Sequence, residues 1–322
     1  MGLRSAIKNQ MPKTKIGKSV LVIFAILLPI GVGVFAGYTI NKHLIPVHAD
    51  YSNVNIDDLK DNTASNKTVM DKYNAAIDAG ADLSTIFQPY EMVNLAYTLY
   101  GQYEVSCALT QGYTDTINSF ISVHQIINAC AIRNGNDYFE ESLSKSNMVG
   151  VAKRMYMSKD SGVTQYTGSI TDPSYATWDA SKVREYSKEE YVTDYGKTLD
   201  DPCIYIVSKK TILKDSASIT RDANKNYIVS VSLHPVNGVA KYVRQMKNIS
   251  DLNAYPSFMY VNLTFTLNEL LIPTLLHIDE SYNADSKMGS SDLRASLDIT
   301  YTVDDGTKIP TLTENIPYKE VK

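Results

Sequence analysis

Residues 20–40, VLVIFAILLPIGVGVFAGYTI, contain no charged side chain over 21 positions. As an α-helix rising ~1.5 Å per residue, this run is about 31 Å long and matches a hydrocarbon core of roughly 30 Å. Arg4, Lys8, Lys13, Lys15 and Lys18 precede it, with no Asp or Glu before residue 20. That bias retains the N-terminus in the cytoplasm and sends the remainder outward. The expected organisation is a cytoplasmic basic tail over 1–19, a transmembrane helix acting as signal anchor over 20–40, and an extracytoplasmic remainder. A cleaved signal peptide is the alternative. Val34-Phe35-Ala36 and Val47-His48-Ala49 offer small-residue cleavage sites, with mature starts at Gly37 or Asp50. Against it, the apolar run is longer than the usual ~7–15-residue core of such peptides. Pro29, Gly31 and Gly33 are tolerated in a membrane helix, and no Cys follows closely enough for a lipoprotein signal.

What lies beyond the anchor is long enough for one large or two modest domains. The chain's net charge is −4, and taking away the tail's five positive charges leaves −9 outside. An acidic exterior argues against nucleic acid as a partner and against adhesion to anionic surfaces. Cys107, Cys130 and Cys203 are too few and too scattered for a disulfide framework or a zinc site. A Cys107–Cys130 bridge between paired strands and buried free thiols both remain open. The 23 Tyr, with much Ser, Thr and Asn, fit strands with polar outer faces.

Residues 41–62 read as a juxtamembrane connector without sustained period, and 63–310 as one α+β domain. Val69, Met70, Tyr73 and Ile77 have helical spacing over 63–79, closed by Gly80. A second helix is expected over 89–100, with Pro89 at its first turn and Gly101 beyond its end. From Tyr103 the period becomes two, with Tyr103, Val105, Cys107 and Leu109 on one face. Extended runs follow at 121–133, 138–145, 148–158 and 163–168, a meander of antiparallel neighbours with a turn at Asn134-Gly135-Asn136-Asp137. Residues 169–187, with Trp178, read as a loop. Ser187-x-x-Glu190 is a capping box opening a short helix to Tyr195. Strands are expected at 204–207, 216–220 and 227–233, a helix at 236–247, a hairpin of 258–267 and 270–280 around Asn268-Glu269, and a last strand at 293–303. Pro273 belongs at an edge or a bulge. Residues 311–322 read as a polar tail.

The helix at 89–100 leads into a meander with the phrases Asn134-Gly135-Asn136-Asp137-Tyr138-Phe139-Glu140 and Arg154-Met155-Tyr156. Later come Leu263-Thr264-Phe265-Thr266-Leu267-Asn268-Glu269 and Ile278-Asp279-Glu280-Ser281-Tyr282. In this order the elements resemble lipoprotein-carrier-like envelope proteins of the LolA/LppX type, over most of residues 85–305. The resemblance implies a large curved antiparallel sheet, an incomplete barrel covered by helices, and acyl chains or other lipids held between sheet and helices. A transmembrane anchor, where many such proteins carry a lipidated Cys, departs from shuttling between membranes.

No residue set emerges as catalytic, cofactor-binding or metal-binding, and none is singled out for a ligand. His43, His48, His124, His234 and His277 lack metal-ligand spacing. Ser122 and His124 share a strand face, which coincidence explains. Acidic pairs stand at Asp57-Asp58, Glu140-Glu141, Glu189-Glu190, Asp200-Asp201, Asp279-Glu280 and Asp304-Asp305. Neighbours in a strand point to opposite faces, so these pairs do not converge as glycosidase carboxylates must. Asp304-Asp305-Gly306 lacks the further oxygens of a calcium loop. Ile126, Ile127 and Ile132 give one strand apolar residues on both faces, which requires a cover on each side or a ligand on one. A helix pair and a loop around Trp178 are the expected covers. The sequence thus predicts a non-enzymatic, membrane-anchored extracytoplasmic binding protein for a lipidic or hydrophobic envelope component. The alternative is a scaffold within an envelope, secretion or division complex with a protein partner.

Overall fold

The computed structural model describes residues 51, 54–61, 63–118, 122–146, 150–158, 162–195, 197, 204–249, 252–286 and 289–319. The basic tail, the apolar run 20–40, the first part of the connector, His43, His48, Asp200-Asp201 and Cys203 lie outside them. Among the described residues no helix is long and apolar enough to cross a membrane.

Among the described residues three α-helices precede the sheet: α1 (Ile56–Leu59), α2 (Thr63–Asp78) and α3 (Pro89–Tyr100). Then come β1 (Val105–Ile117), β2 (Ser122–Asn134), β3 (Asp137–Ser146), β4 (Gly150–Ser158), β5 (Val163–Asp172) and β6 (Tyr175–Tyr186). Helix α4 (Lys188–Tyr195) leads to β7 (Ser218–Arg221) and β8 (Tyr227–Ser232). Helix α5 (Ala240–Ile249) precedes β9 (Ser257–Leu267), β10 (Pro273–Ser286) and β11 (Gly289–Val303). All eleven strands form one antiparallel sheet in the order β6-β5-β4-β3-β2-β1-β11-β10-β9-β8-β7. The sheet is open, with β6 and β7 as its edges. The chain steps outward from β1 to β6, crosses to the far edge, and steps back inward until β11 pairs with β1.

That central seam depends on a glycine. Gly112 faces Leu297, and a Cβ there would stand 1.7 Å from the Ser296 carbonyl oxygen. The β2–β3 hairpin turns at Gly135-Asn136, with Gly135 at φ +62°. Pro273 does sit beside a register shift between β9 and β10. The hairpin there closes through five residues, because the Asn268 side chain accepts from the amides of Leu270 (3.0 Å) and Ile272 (2.9 Å). The capping box at α4 is formed: Ser187 Oγ accepts from the Glu190 amide (3.1 Å) and Glu190 Oε2 from the Ser187 amide (2.8 Å).

The two sides of the sheet are covered differently. The inner face of β8–β11 carries Val229, Leu263, Phe265, Leu276, Ile278 and Leu297 under α2, α3 and α5. The opposite face of β1–β5 carries Leu109, Ile132, Phe139, Leu143 and Ile170 under the C-terminal residues Ile309, Ile316 and Tyr318. Strand β1 serves both, with Ala108 in the first cluster and Cys107 and Leu109 in the second.

Four readings are corrected. Residues 175–186 are strand β6 rather than loop; this edge strand is exposed along most of its length and so lacks the alternation that marks a half-buried strand. Residues 204–207 are buried but lie outside any strand. The polar tail, over its described residues, packs back onto the sheet as an extended strap and supplies the second cover expected of a Trp178 loop. The end of the connector is docked too: Tyr51 is fully buried and donates to the Pro235 carbonyl (3.1 Å), and Ser208 Oγ donates to the Leu59 carbonyl (2.6 Å).

Candidate functional site

Register sets a row of four polar side chains and one alanine across the inner face of five neighbouring strands. Ser146 lies opposite Gln125, Gln125 opposite Thr114, Thr114 opposite Ala295, and Ala295 opposite Glu280. All five are buried, Thr114 and Glu280 completely. Gln125 Nε2 donates to Ser144 Oγ. The next row is Ser144 on β3 followed by Ile127, Gly112, Leu297 and Ile278, so over four of the five strands the polar stripe borders an apolar surface.

Glu280 anchors the stripe at an aromatic wall. Tyr205 donates to its Oε2 at 2.6 Å. The Tyr205 and Tyr242 rings meet at 5.6 Å, Tyr242 meets Phe258 at 5.7 Å, and Phe258 stacks on Tyr282 at 4.8 Å. Burial pushes the Glu280 carboxyl up to about 8, against the pull of the Tyr205 hydrogen bond. At neutral pH the group is therefore a neutral acid that can donate as well as accept. Glu280 Oε1, the Tyr282 hydroxyl and Thr114 Oγ1 are buried without a hydrogen-bond partner among the described residues. Buried polar atoms are nearly always paired, and these three lie on one sheet face, whereas Trp178 Nε1 on the opposite face is also without a partner among the described residues.

A second buried polar centre lies on the opposite face. Arg154, 0% exposed, pairs through Nε with Glu141. Its Nη1 donates to the carbonyls of Thr311 and Leu312, both at 2.9 Å, and Nη2 to that of Glu314 at 2.5 Å. The guanidinium lies 4.4 Å from the Trp178 ring centroid. Tyr318 donates to Glu141 Oε1 at 2.9 Å, and Tyr156 to the Pro310 carbonyl at 3.1 Å. Burial pushes the Glu141 carboxyl up while Arg154 pulls it down. Here the charged groups close on one another, with only the Trp178 Nε1 lacking a partner among the described residues, and the centre reads as the clasp of the strap.

The two acidic pairs carried on strands separate as strand geometry requires. Glu140 meets Lys197 (3.2 Å) on the inner face while Glu141 meets Arg154 on the other. Asp279 accepts from Asn262 (3.2 Å) on the outer face while Glu280 points inward. Glu190 caps α4, and Asp305 accepts from the Thr307 amide (2.9 Å) in a turn. Two histidines are cross-strand neighbours of aspartates: His124 Nδ1 lies 2.7 Å from Asp115, and His277 Nδ1 lies 2.7 Å from Asp298. His234 Nδ1 accepts from the amides of Val236 and Asn237 in a turn. Sequence reading overlooked Arg154, Glu141 and Glu280 as buried groups. A usable signal existed: each occupies an inward phase between apolar neighbours, Ala152 and Tyr156, Phe139 and Leu143, Ile278 and Tyr282.

No family model matches the sequence, and no curated protein does. Solved structures do match. LprF from Mycobacterium bovis aligns over 70% of this chain and 97% of its own, at 12% identity and a TM-score of 0.30. A DUF1329 family protein from Desulfovibrio piger aligns over 69% of this chain and 96% of its own, at 10% identity and a TM-score of 0.26. A putative outer membrane lipoprotein-sorting protein domain from Vibrio parahaemolyticus aligns over 68% and 93%, at 10% identity and a TM-score of 0.24. The functional reading rests on this chain's own residues.

Proposed function

We propose that the chain is an extracytoplasmic binding protein that takes up a lipidic or otherwise hydrophobic ligand between the inner sheet face and its helices. The observation that carries this is the set of unpaired buried atoms at Glu280, Tyr282 and Thr114, embedded in an apolar surface. A mostly apolar wall with a few convergent polar groups is the usual make-up of a small-molecule site. The apolar wall suits an acyl body, and the protonated Glu280 suits an ester or carboxyl oxygen. Helices α3 and α5 lie over this face, so loading requires them to part from the sheet. The role is non-catalytic in this reading, which the division of the strand-borne pairs Glu140-Glu141 and Asp279-Glu280 between opposite faces supports. Residues 20–40 hold the chain in the membrane with residues 1–19 inside, as their lack of charge and the basic tail favour.

The test is lipid extraction from the purified full-length chain in detergent, with mass spectrometry, and titration with a fluorescent fatty acid. The expected result is saturable binding that Glu280→Gln retains and Glu280→Leu weakens several-fold in a folded protein. Absence of both co-purifying lipid and saturable probe binding overturns the reading. Protease protection of an N-terminal tag in intact cells tests the topology; digestion of that tag with the C-terminal domain protected refutes it.

A further inference from the structure

Cys107 and Cys130 occupy diagonal positions on β1 and β2: Cys107 lies opposite Ile132 and Cys130 opposite Leu109. Their sulfurs are 3.7 Å apart and unbonded. Both belong to the cluster beneath the strap, with Ile309, Ile316 and Tyr318. Cys130 is buried, while Cys107 is partly exposed. We propose that these thiols form an intramolecular disulfide centre, closed by exchange with a small-molecule or protein disulfide that enters at Cys107.

A disulfide spans ~2.05 Å, so the sulfurs need to approach by less than about 2 Å. Diagonal strand positions hold their Cα atoms ~7–8 Å apart, at or beyond the usual limit of about 7 Å for a bridge. The bond therefore draws β1 and β2 together and is easily reduced again, unlike an unstrained structural bridge. The two thiols are unequal. Their mutual hydrogen bond holds the Cys107 thiol below its ordinary range and raises that of Cys130, to which burial adds. Cys107 is thus the entry nucleophile. Its thiolate attacks one sulfur of the incoming disulfide, forms a mixed disulfide and expels one thiolate. That thiolate takes the Cys130 proton, and the Cys130 thiolate attacks the Cys107 sulfur and expels the second thiolate, which takes up the proton that Cys107 released on ionising. The protein loses two hydrogens and the oxidant becomes two thiols.

The test uses the full-length chain carrying Cys203→Ser, exposed to glutathione disulfide under native conditions. Intact mass is expected to fall by two hydrogens, with both maleimide-reactive thiols lost on denaturation. Adding Cys130→Ser is expected to stop the reaction at a glutathione adduct on Cys107, while Cys107→Ser leaves Cys130 unmodified. Two free thiols, or a persistent adduct on the chain holding both cysteines, in a protein that circular dichroism shows folded, overturns the proposal.

Discussion

The helix-covered and strap-covered sides of the sheet bury charged groups in opposite ways. Under the strap, Arg154 meets a carboxylate and three main-chain carbonyls, and Glu141 meets Arg154 and Tyr318. Under the helices, Glu280 has a partner for one oxygen only, and the Tyr282 hydroxyl has none among the described residues. The difference follows from the covers. A helix interior spends its carbonyls on its own ladder, so it offers inward-facing polar groups only side chains. An extended strap has no ladder, and its carbonyls remain to accept from an arginine fork. On the strap side the buried charges are matched by the chain itself, although Trp178 Nε1 has no partner among the described residues; on the helix side Glu280, Tyr282 and Thr114 carry the unmatched atoms.

The largest expected effect tests the strap side. Arg154→Met leaves Glu141 buried and unpaired, and is expected to cost ~3–5 kcal/mol in urea denaturation and expose the strap to proteolysis after residue 306. The double variant Arg154→Met with Glu141→Leu is expected to recover much of that loss; no recovery would mean that the strap is held chiefly by Arg154's carbonyl contacts. Gly112→Ala attacks the seam that both sides share. Its Cβ meets a main-chain oxygen that cannot move alone, so ~3 kcal/mol is expected, at the upper end of overpacking. Probes on the two sides should then melt together; separate transitions would show two cooperative units.

Tyr318→Phe removes one hydrogen bond to the buried carboxylate, for ~1.5–3 kcal/mol on the strap side alone. Glu280 sharpens the other side through pH. Its folded value of about 8 exceeds the ordinary 4.5. The stabilising proton is fully present in both states below the lower value, and stability falls as pH rises from there through the higher one. The slope is at most ~1.4 kcal/mol per pH unit. Glu280→Gln is expected to flatten it in denaturation series between pH 5 and about 8, and an unchanged slope would refute the neutral acid.

Much of the architecture was legible. Strands such as β1, β9 and β11 announce themselves because one side is buried, and Gly135-Asn136 and Ser187-x-x-Glu190 are local devices whose geometry is written in two to four residues. Strand β6 was not, since an exposed edge selects no apolar phase. The candidate site was harder still. Glu280 looks in sequence like half of a solvated acidic pair, and only strand phase separates it from Asp279.

By itself the sequence determined the antiparallel meander, the turns, the helix caps and the likeness in element order, because each depends on interactions among residues a few positions apart. Tertiary structure alone decided that β11 returns to pair with β1, that residues 309–318 clasp Arg154, and that Ser146, Gln125, Thr114, Ala295 and Glu280 align in one row. The β1–β11 pairing and the clasp join residues more than a hundred positions apart, and the row is complete only because that pairing brings Thr114 opposite Ala295. Their free energy comes from burial and from pairing of groups whose neighbours in the chain give no sign of whom they will meet.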